Sequence, residues 1–240
     1  MRFLFFCFLL VTSVSVHADN VVKIAVASNF KPTLEALLPL WQRTQKTKLL
    51  ISGGPSGVLT QQILSGAPFD VFLSADADLP LHLYHQQLSE KPFVYAQGQL
   101  KLGCINAHDS LSNALHSSAR LALANIKTAP YGRAAWQWLQ RQEPAVTAQI
   151  VQTGSVAGAL QTVVSGNAPC GLIAASFERL ASGLHWYAIE TAPNLPQAGV
   201  LINPTNPAKQ FVEFLLSDQA QGMIRNHSYI APESQESTTP

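Results

Sequence analysis

The fold follows from the segment Val21-Val-Lys-Ile-Ala-Val-Ala-Ser-Asn29, in which a strand-like run leads directly into small polar residues. Val21–Ala27 is rich in β-branched residues, which favour an extended strand. The next segment, Pro32–Trp41, places apolar residues three and four positions apart, and its first proline suits the first turn of a helix. This part of the chain therefore predicts a β-strand and an α-helix joined by a short turn.

The same alternation continues through the first third of the chain. Lys48–Ser52 and Phe69–Ser74 are predicted strands, and Val58–Leu64 and Leu79–Gln87 are predicted helices. The order β-α-β-α-β-α is typical of a mostly parallel sheet with helices on both faces.

A second α/β unit follows. Its predicted strands and helices are Gln99–Ile105, Arg120–Ala124, Gly132–Gln142, Ala148–Gln152, Ala157–Ser165, Gly171–Ala175, Phe177–Ala181 and Gly199–Ile202. Two further predicted helices, Pro207–Leu216 and Gln219–Arg225, are expected to return to the first unit, because short connections are favoured.

The pattern divides the chain into two lobes. We expect residues 19–97 and 204–231 to form the first lobe and residues 98–203 to form the second, each an α/β layer with a mostly parallel sheet flanked by helices. The tail at 232–240 is rich in Ser, Thr, Glu and Pro and is expected to be disordered. Ligands of open α/β sheets bind beyond the carboxyl ends of the strands, so the cleft between the lobes is the expected binding site.

Four of the connections between strands and helices are turns of small, uncharged residues. They are Ala27-Ser-Asn29, Gly53-Gly-Pro-Ser-Gly57, Ala129-Pro-Tyr-Gly132 and Gly154-Ser-Val-Ala-Gly158. A helix N-terminus leaves backbone N–H groups unpaired and carries a partial positive charge. Four such turns that converge would bind a desolvated oxyanion through neutral donors alone. The pattern indicates a binding protein rather than an enzyme.

Five residues of these turns are candidate oxyanion ligands: Ser28, Asn29, Ser56, Tyr131 and Val156. Tyr131 has a bulky side chain that capping does not need, whereas Val156 can offer only its backbone N–H. Ser28, Asn29 and Ser56, taken singly, are also compatible with ordinary helix N-caps. Their joint placement favours the binding interpretation.

Ser56 also permits an alternative, an exported serine hydrolase. The nucleophile elbow requires G-x-S-x-G, but Gly54-Pro-Ser-Gly-Val58 lacks the last glycine. No P-loop or dinucleotide-binding motif follows a strand, and the histidines are scattered. Asp70 and Asp76 flank one strand and are more typical of residues that orient a turn than of a catalytic pair. We therefore expect no catalytic residue, no direct metal ligand and no cofactor.

The first 18 residues (1–18) are typical of a cleaved signal peptide. Arg2 precedes the largely apolar run Phe3–Val16, and Val16-His-Ala18 provides small residues where a signal peptidase cuts. A membrane anchor is the alternative, but the run is shorter than the roughly 20 residues that a spanning helix needs. The mature protein is therefore expected to be soluble and exported.

The charge balance disfavours several kinds of partner. The leader holds one of the 15 basic residues and none of the 14 acidic residues, so the rest of the chain has no formal net charge. Without net charge or runs of Lys and Arg, nucleic acid and anionic membranes are disfavoured. A bound anion would be recognised by local donors rather than attracted by the charge of the whole protein.

Two cysteines, Cys104 and Cys170, remain once the leader with Cys7 is removed. An even pair in an exported protein permits a disulfide, and free thiols are the alternative. Neither cysteine belongs to a C-x-x-C motif or lies beside spaced histidines, which disfavours redox catalysis and zinc binding.

Five stretches carry a resemblance to a known family: Ala25-Val-Ala-Ser-Asn29, Ser52-Gly-Gly-Pro-Ser-Gly57, Gly66-Ala-Pro-Phe-Asp-Val-Phe-Leu-Ser-Ala-Asp76, Asn125-Ile-Lys-Thr-Ala-Pro-Tyr-Gly132 and Gly166-Asn-Ala-Pro-Cys-Gly171. The chain resembles the molybdate-binding periplasmic proteins of ABC importers from Val21 to about Tyr229. The resemblance implies a type II periplasmic binding protein, whose two lobes are joined by crossover strands and close around the anion. It also implies a monomer in the periplasm that binds molybdate or tungstate and serves an inner-membrane ABC permease with its cytoplasmic ATPase.

The resemblance also assigns roles to residues of this chain. Ser28 and Ser56 match the two hydroxyl ligands, and Tyr131 and Val156 match the backbone donors of the second lobe. One branch of the family has a tyrosine ligand where this chain has Ala174. A second branch instead completes the site with an asparagine amide and the tyrosine of Ala-Pro-Tyr-Gly, which Asn29 and Tyr131 match.

The resemblance bears on the cysteines as well. In the second lobe of this family, the strands that correspond to those ending at Cys104 and beginning after Cys170 lie side by side and antiparallel. That arrangement would place the two cysteines close enough for a disulfide.

Overall fold

The computed structural model describes residues 21–230, so the predicted signal peptide at 1–18 and the tail at 232–240 lie outside the described residues. The described chain forms two five-stranded sheets, one in each lobe, with helices packed against them. None of the helices between residues 21 and 230 has the length and apolar character needed to cross a membrane.

The first lobe begins with the alternation that the sequence predicts. Its elements are β1 (Val21–Ala27), α1 (Lys31–Thr44), β2 (Lys48–Gly54), α2 (Ser56–Leu64), β3 (Val71–Leu73), α3 (Asp78–His85) and β4 (Phe93–Gly98). Strand β1 lies between β2 and β3 and runs parallel to both. Successive residues of β1 enter separate cores: Ile24 packs with apolar residues of α1, and Ala25 packs with Leu59 of α2. Both faces of this sheet are therefore covered by helices.

The second lobe repeats the α/β arrangement with a different sheet. Its elements are β5 (Leu100–Cys104), α4 (Leu111–Ser117), β6 (Arg120–Ala124), α5 (Pro130–Leu139), β7 (Gln149–Thr153), α6 (Val156–Val164), β8 (Cys170–Ala174) and β9 (His185–Ala188). The strand order is β7-β6-β8-β5-β9. Strand β6 runs parallel to β7 and β8, whereas β5 runs antiparallel to β8 and β9.

Three short elements of the structure were not predicted, and one predicted helix is nearly absent. The sequence pattern does not indicate β4, α4 or β9, which have only 6, 7 and 4 residues, so their periodicity is hard to detect. The helix predicted at Phe177–Ala181 is wrong: the structure has a single 3-10 turn at Ala175–Phe177.

The last elements return to the first lobe. They are β10 (Leu195–Leu201), α7 (Asn206–Leu216) and α8 (Asp218–Asn226). The two helices pack on the core of the first lobe through Phe211 and Ile224, as the sequence predicts. Strand β10 lies between β3 and β4, antiparallel to both. This corrects the second lobe predicted at 98–203, because residues 195–201 belong to the first sheet. Local periodicity indicates a strand but not the sheet that it joins.

Two crossovers therefore connect the lobes, one from β4 to β5 and one from β9 to β10. Gly98 lies at the first crossover. A Cβ atom there would clash with both Tyr131 Oη and Gln197 Nε2. Glycine at this position thus allows a second-lobe ring to approach the strands of the first lobe.

Cys104 and Cys170, whose pairing the sequence leaves open, are joined in a disulfide. They are paired residues of the antiparallel strands β5 and β8, with Cα atoms 4.1 Å apart. The ring of His108 lies close to both sulfur atoms. Because the disulfide uses both sulfurs, these three groups do not offer a cation site in this state.

Candidate functional site

The structure brings the five predicted ligands together at one small cavity between the lobes. The cavity lies at the carboxyl ends of β1, β2, β6 and β7, and its lining residues are Ala27, Ser28, Asn29, Gly54, Pro55, Ser56, Ala75, Ala129, Pro130, Tyr131 and Val156. None of these lining residues is charged. The cavity has a volume of only about 10 Å³. The lobes are therefore closed on each other.

The turn after β1 positions Ser28 and Asn29. The N–H of Ser28 donates to the carbonyl of Gly54 at 3.0 Å, which joins this turn to the end of β2. Because its N–H is occupied, Ser28 can offer a ligand only its hydroxyl. Asn29 is 1% exposed, and its side chain lies within the protein rather than at a surface.

Ser56 is the first residue of α2 and is also almost fully buried. Its Oγ accepts a hydrogen bond of 3.0 Å from the N–H of Ala75. A hydroxyl has a single hydrogen, and accepting at the oxygen leaves that hydrogen free to be donated. The backbone after β3 therefore sets Ser56 as a hydrogen-bond donor beside the cavity.

The capping interpretation does not hold for these three residues. The N-cap of α1 is Phe30, and the N-cap of α2 is Pro55; neither makes a side-chain capping hydrogen bond. None of these three side chains therefore caps the N-terminus of α1 or α2.

Tyr131 and Val156 lie in the first turns of α5 and α6. The first residues of a helix have no carbonyl four positions earlier within the helix, so their N–H groups lack an intrahelical acceptor. At α6, the side chain of Ser155 accepts from the N–H of Gly158 at 3.1 Å, and the cap does not use Val156. Two helix N-termini of the second lobe therefore face the cavity, an arrangement that favours an anion.

The side chain of Tyr131 crosses from the second lobe to the first. Its Oη accepts a hydrogen bond of 3.3 Å from Nε2 of Gln197. Burial raises the pKa of Tyr131 well above its ordinary value, and the neighbouring Tyr229 acts in the same direction. The phenol therefore stays protonated and neutral at physiological pH.

A buried hydrogen-bond network behind the cavity was missed from the sequence. Asn29 Nδ2 donates to Gln197 Oε1 and to Tyr229 Oη, both at 3.0 Å. Tyr229 Oη in turn donates to the carbonyl of Asn29 at 3.0 Å, and Tyr95 Oη lies 3.1 Å from Gln197 Oε1. The one available sequence signal was Gln197 itself, an amide side chain inside the otherwise mostly apolar segment Leu195–Leu201.

Further polar contacts hold the lobes together beside the cavity. The N–H of Gly57 donates to the carbonyl of Thr128 at 2.9 Å, and the carboxylate of Asp76 pairs with the guanidinium of Arg133. Burial raises the pKa of Asp76, while hydrogen bonds from its own turn and the charge of Arg133 oppose that shift. Asp76 also accepts from Ser74 Oγ at 2.9 Å, so it orients the turn after β3, as predicted.

Nothing in the geometry favours a hydrolase. Between residues 21 and 230, no histidine or carboxylate makes a hydrogen bond to the hydroxyl of Ser56, which contacts the backbone of Ala75 instead. Asp70, the other candidate carboxylate, accepts from the N–H of Lys23 at 2.7 Å and from Asn203 Nδ2 at 2.9 Å. The site provides hydrogen-bond donors for an anion but no general base beside the serine.

A wider groove of about 830 Å³ opens beside the cavity and shares Ser28, Gly54 and Pro55 with it. Its second-lobe wall is mostly apolar and includes the exposed side chains of Val164 and Leu180. The side-chain and backbone donors of the four turns converge on the small cavity, so we place the candidate anion site there.

Comparison with known proteins shows the family of the chain. The sequence profile of a family described as bacterial extracellular solute-binding protein matches residues 22–230. The molybdate-binding protein ModA of Azotobacter vinelandii is 33% identical over 224 residues, covering 87% of this chain and 89% of that protein. The molybdate-binding protein ModA of Rhodobacter capsulatus is 30% identical over 218 residues, covering 86% of each chain.

The fold has a counterpart among solved structures. The periplasmic molybdate-binding protein of Azotobacter vinelandii superposes with a TM-score of 0.78 at 27% identity, covering 88% of this chain and all of that one. The two-lobed α/β architecture is therefore that of a periplasmic binding protein, a class that binds solutes. The chain belongs to the family of bacterial extracellular solute-binding proteins.

Proposed function

We propose that this protein binds molybdate, and tungstate equally, in the cavity between its lobes and delivers the anion to an ABC importer. The observation that carries the proposal is the convergence of neutral donors from four turns, two from each lobe, on one uncharged cavity. Both anions are tetrahedral, similar in size and doubly charged, and their oxygens accept hydrogen bonds. The names of the two relatives at 33% and 30% identity support molybdate as the anion.

Each candidate residue has a role in this proposal. Ser28 and Ser56 donate through their hydroxyls, and Asn29 contributes its amide. Tyr131 and Val156 donate through backbone N–H groups at the starts of α5 and α6. Hydrogen bonds to a charged partner are each stronger than those between neutral groups. Neutral donors therefore suffice, and binding needs neither a cofactor nor a cation.

Delivery requires the lobes to separate. With about 10 Å³ open in the closed state, the anion can leave only after the contacts between the lobes are broken. These include the contacts of Gly57 with Thr128, of Asp76 with Arg133 and of Tyr131 with Gln197. We propose that the exported monomer carries the anion through the periplasm and that an inner-membrane permease with its cytoplasmic ATPase receives it. The family membership supports this role.

A thermal-shift titration tests the proposal. The mature protein is heated with molybdate, tungstate, sulfate or phosphate, each over a range of concentrations. Ligand at about 100 times its Kd adds about 2.7 kcal/mol to the free energy of unfolding, so the melting temperature should rise with molybdate and tungstate. Absence of any shift with both anions would contradict the proposal, whereas a larger shift with sulfate would reassign the ligand.

A further inference from the structure

We infer that Gln197 is a positioning residue for the anion site: its amide fixes which hydrogens of Asn29 and Tyr131 are available to a ligand. This inference rests on the proposed function of the cavity. Gln197 does not line the cavity itself and lies on β10, far along the chain from the four turns.

The first observation is the burial of this amide. Gln197 is 0% exposed on a strand between β3 and β4, where an apolar side chain would fit the core. A buried amide costs free energy unless its hydrogen bonds are made. The pairing of β10 with β4 also shifts register between Gln197 and Ala198. Such irregularities re-aim side chains and are common beside functional sites.

The second observation is where its hydrogen bonds go. Gln197 Oε1 accepts from Asn29 Nδ2 at 3.0 Å and is 3.1 Å from Tyr95 Oη, and Gln197 Nε2 donates to Tyr131 Oη at 3.3 Å. Two of these three partners line the cavity. The amide thus bridges a ligand residue of the first lobe and one of the second lobe.

The direction of the bond to Tyr131 decides what that residue can do. Because Nε2 of Gln197 is a donor, it occupies a lone pair of Tyr131 Oη and leaves the phenol hydrogen free. In the same way, the N–H of Ala75 donates to Ser56 Oγ and leaves the hydroxyl hydrogen of Ser56 free. Both lobes therefore present a hydroxyl whose oxygen is already occupied and whose hydrogen can be donated to an anion.

The amide of Gln197 also restricts which hydrogen of Asn29 a ligand can use. One amide hydrogen of Asn29 is taken by Gln197 and the other by Tyr229. Asn29 Oδ1 is buried and has no hydrogen-bond partner among residues 21–230. Since Gln197 Nε2 donates to Tyr131, Gln197 Oε1 stays on Asn29 and holds one of its two amide hydrogens. The hydrogen that Asn29 can release to an anion is therefore the one that it gives to Tyr229.

The test measures molybdate affinity by calorimetry for the parent, Gln197→Met, Tyr131→Phe and the double variant. Met keeps the approximate size of the side chain but removes the amide. We expect Gln197→Met and Tyr131→Phe each to weaken binding about tenfold or more, as for lost hydrogen bonds that serve a charged group. If the two residues act together, the loss in the double variant is at least about threefold smaller than the product of the single losses.

Gln221→Met is the matched control. Gln221 is also a buried amide of the first lobe, but its Nε2 donates to the carbonyls of Tyr95 and Leu215, away from the cavity. It should lower the melting temperature and leave the affinity of the folded protein unchanged. An equal loss of affinity in Gln221→Met and Gln197→Met, or losses that multiply in the double variant, would overturn the inference.

If Gln197→Met does not fold, the molybdate affinity of Gln197→Glu tests the inference instead. Its carboxylate retains the shape of the amide but turns the phenol hydrogen of Tyr131 toward itself, so binding should weaken at least tenfold. Affinity equal to that of the parent would overturn the inference. A parent that binds neither molybdate nor tungstate would contradict the proposed function, whereas a binding parent with unaffected Gln197 variants contradicts this inference alone.

Discussion

A hydroxyl near a helix N-terminus either caps the helix or faces a ligand, and its partners distinguish the two roles. Ser110 caps α4 by accepting from the N–H of Asn113 at 3.1 Å within its own helix. Ser56 instead accepts from Ala75, which lies 19 residues away on another element. Its hydrogen remains available on the side of the cavity. The same residue type thus has a structural role at one site and a binding role in our proposal at the other.

This difference leads to a prediction for serine variants. Ser56→Ala and Ser28→Ala should each weaken molybdate binding by about 1.5–3 kcal/mol, the range for a hydrogen bond to a charged group. Calorimetric titration measures the loss. Neither residue is an N-cap, so Ser28→Ala should change the melting temperature without ligand little. Ser56→Ala should lower it, because the buried N–H of Ala75 loses its acceptor.

Ser110→Ala is the control for these variants, because it removes a cap remote from the cavity. It should lower the free energy of unfolding by about 1 kcal/mol and leave the affinity unchanged. If both Ser56→Ala and Ser28→Ala bind molybdate like the parent, the hydroxyls are not ligands.

At the scale of the elements, β5 and β8 form one of the antiparallel pairs of the second sheet. This pair places Cys104 opposite Cys170 in register. The disulfide closes a loop whose ends are 66 residues apart in the sequence. Constraining so long a loop stabilises the fold mainly by restricting the unfolded chain.

We therefore predict a stabilising but functionally neutral disulfide. Replacing both cysteines with alanine should lower the free energy of unfolding by about 2–4 kcal/mol in urea titrations. Molybdate affinity should remain close to that of the parent, because neither cysteine lines the cavity. Mass spectrometry of the non-reduced protein should show no alkylated thiol at either position, and free thiols at both would refute the pairing.

For the whole molecule, the notable electrostatic property is that the candidate anion site has no charged side chain in its lining. The chain after its first 18 residues has no formal net charge, and the lining of the cavity contains no charged side chain. The charges of Asp76 and Arg133 beside it neutralise each other, and this ion pair joins the lobes. Recognition therefore depends on buried dipoles rather than on long-range attraction.

This property predicts a binding constant that is insensitive to conditions. Burial raises the pKa of Tyr131 and of Tyr95, so both phenols keep their protons well above pH 10, and no lining residue titrates between pH 6 and 8. Molybdate affinity should change by less than about threefold across that range. It should also depend weakly on ionic strength, since buried interactions are poorly screened. If calorimetry shows that the affinity depends steeply on pH or on ionic strength, a charged side chain of the protein contacts the anion.

The amino-acid sequence was sufficient to establish the α/β lobes, the four uncharged turns and the five candidate ligands. These are local features: each turn joins a strand to the next helix, so its donors appear within a few consecutive residues. Ser56 and Tyr131 could be identified in this way because their positions relative to a helix start follow from the pattern of the adjacent segment.

Other features became apparent only in the folded protein. The sheet that β10 joins, the bridge from Gln197 to Tyr131 and the ion pair of Asp76 with Arg133 each connect segments that are distant in sequence. The last two pairs are 66 and 57 residues apart and span the two lobes, so they exist only once both lobes have folded and closed. Hydrophobic periodicity reports which face of an element is buried, but it does not report what that face contacts.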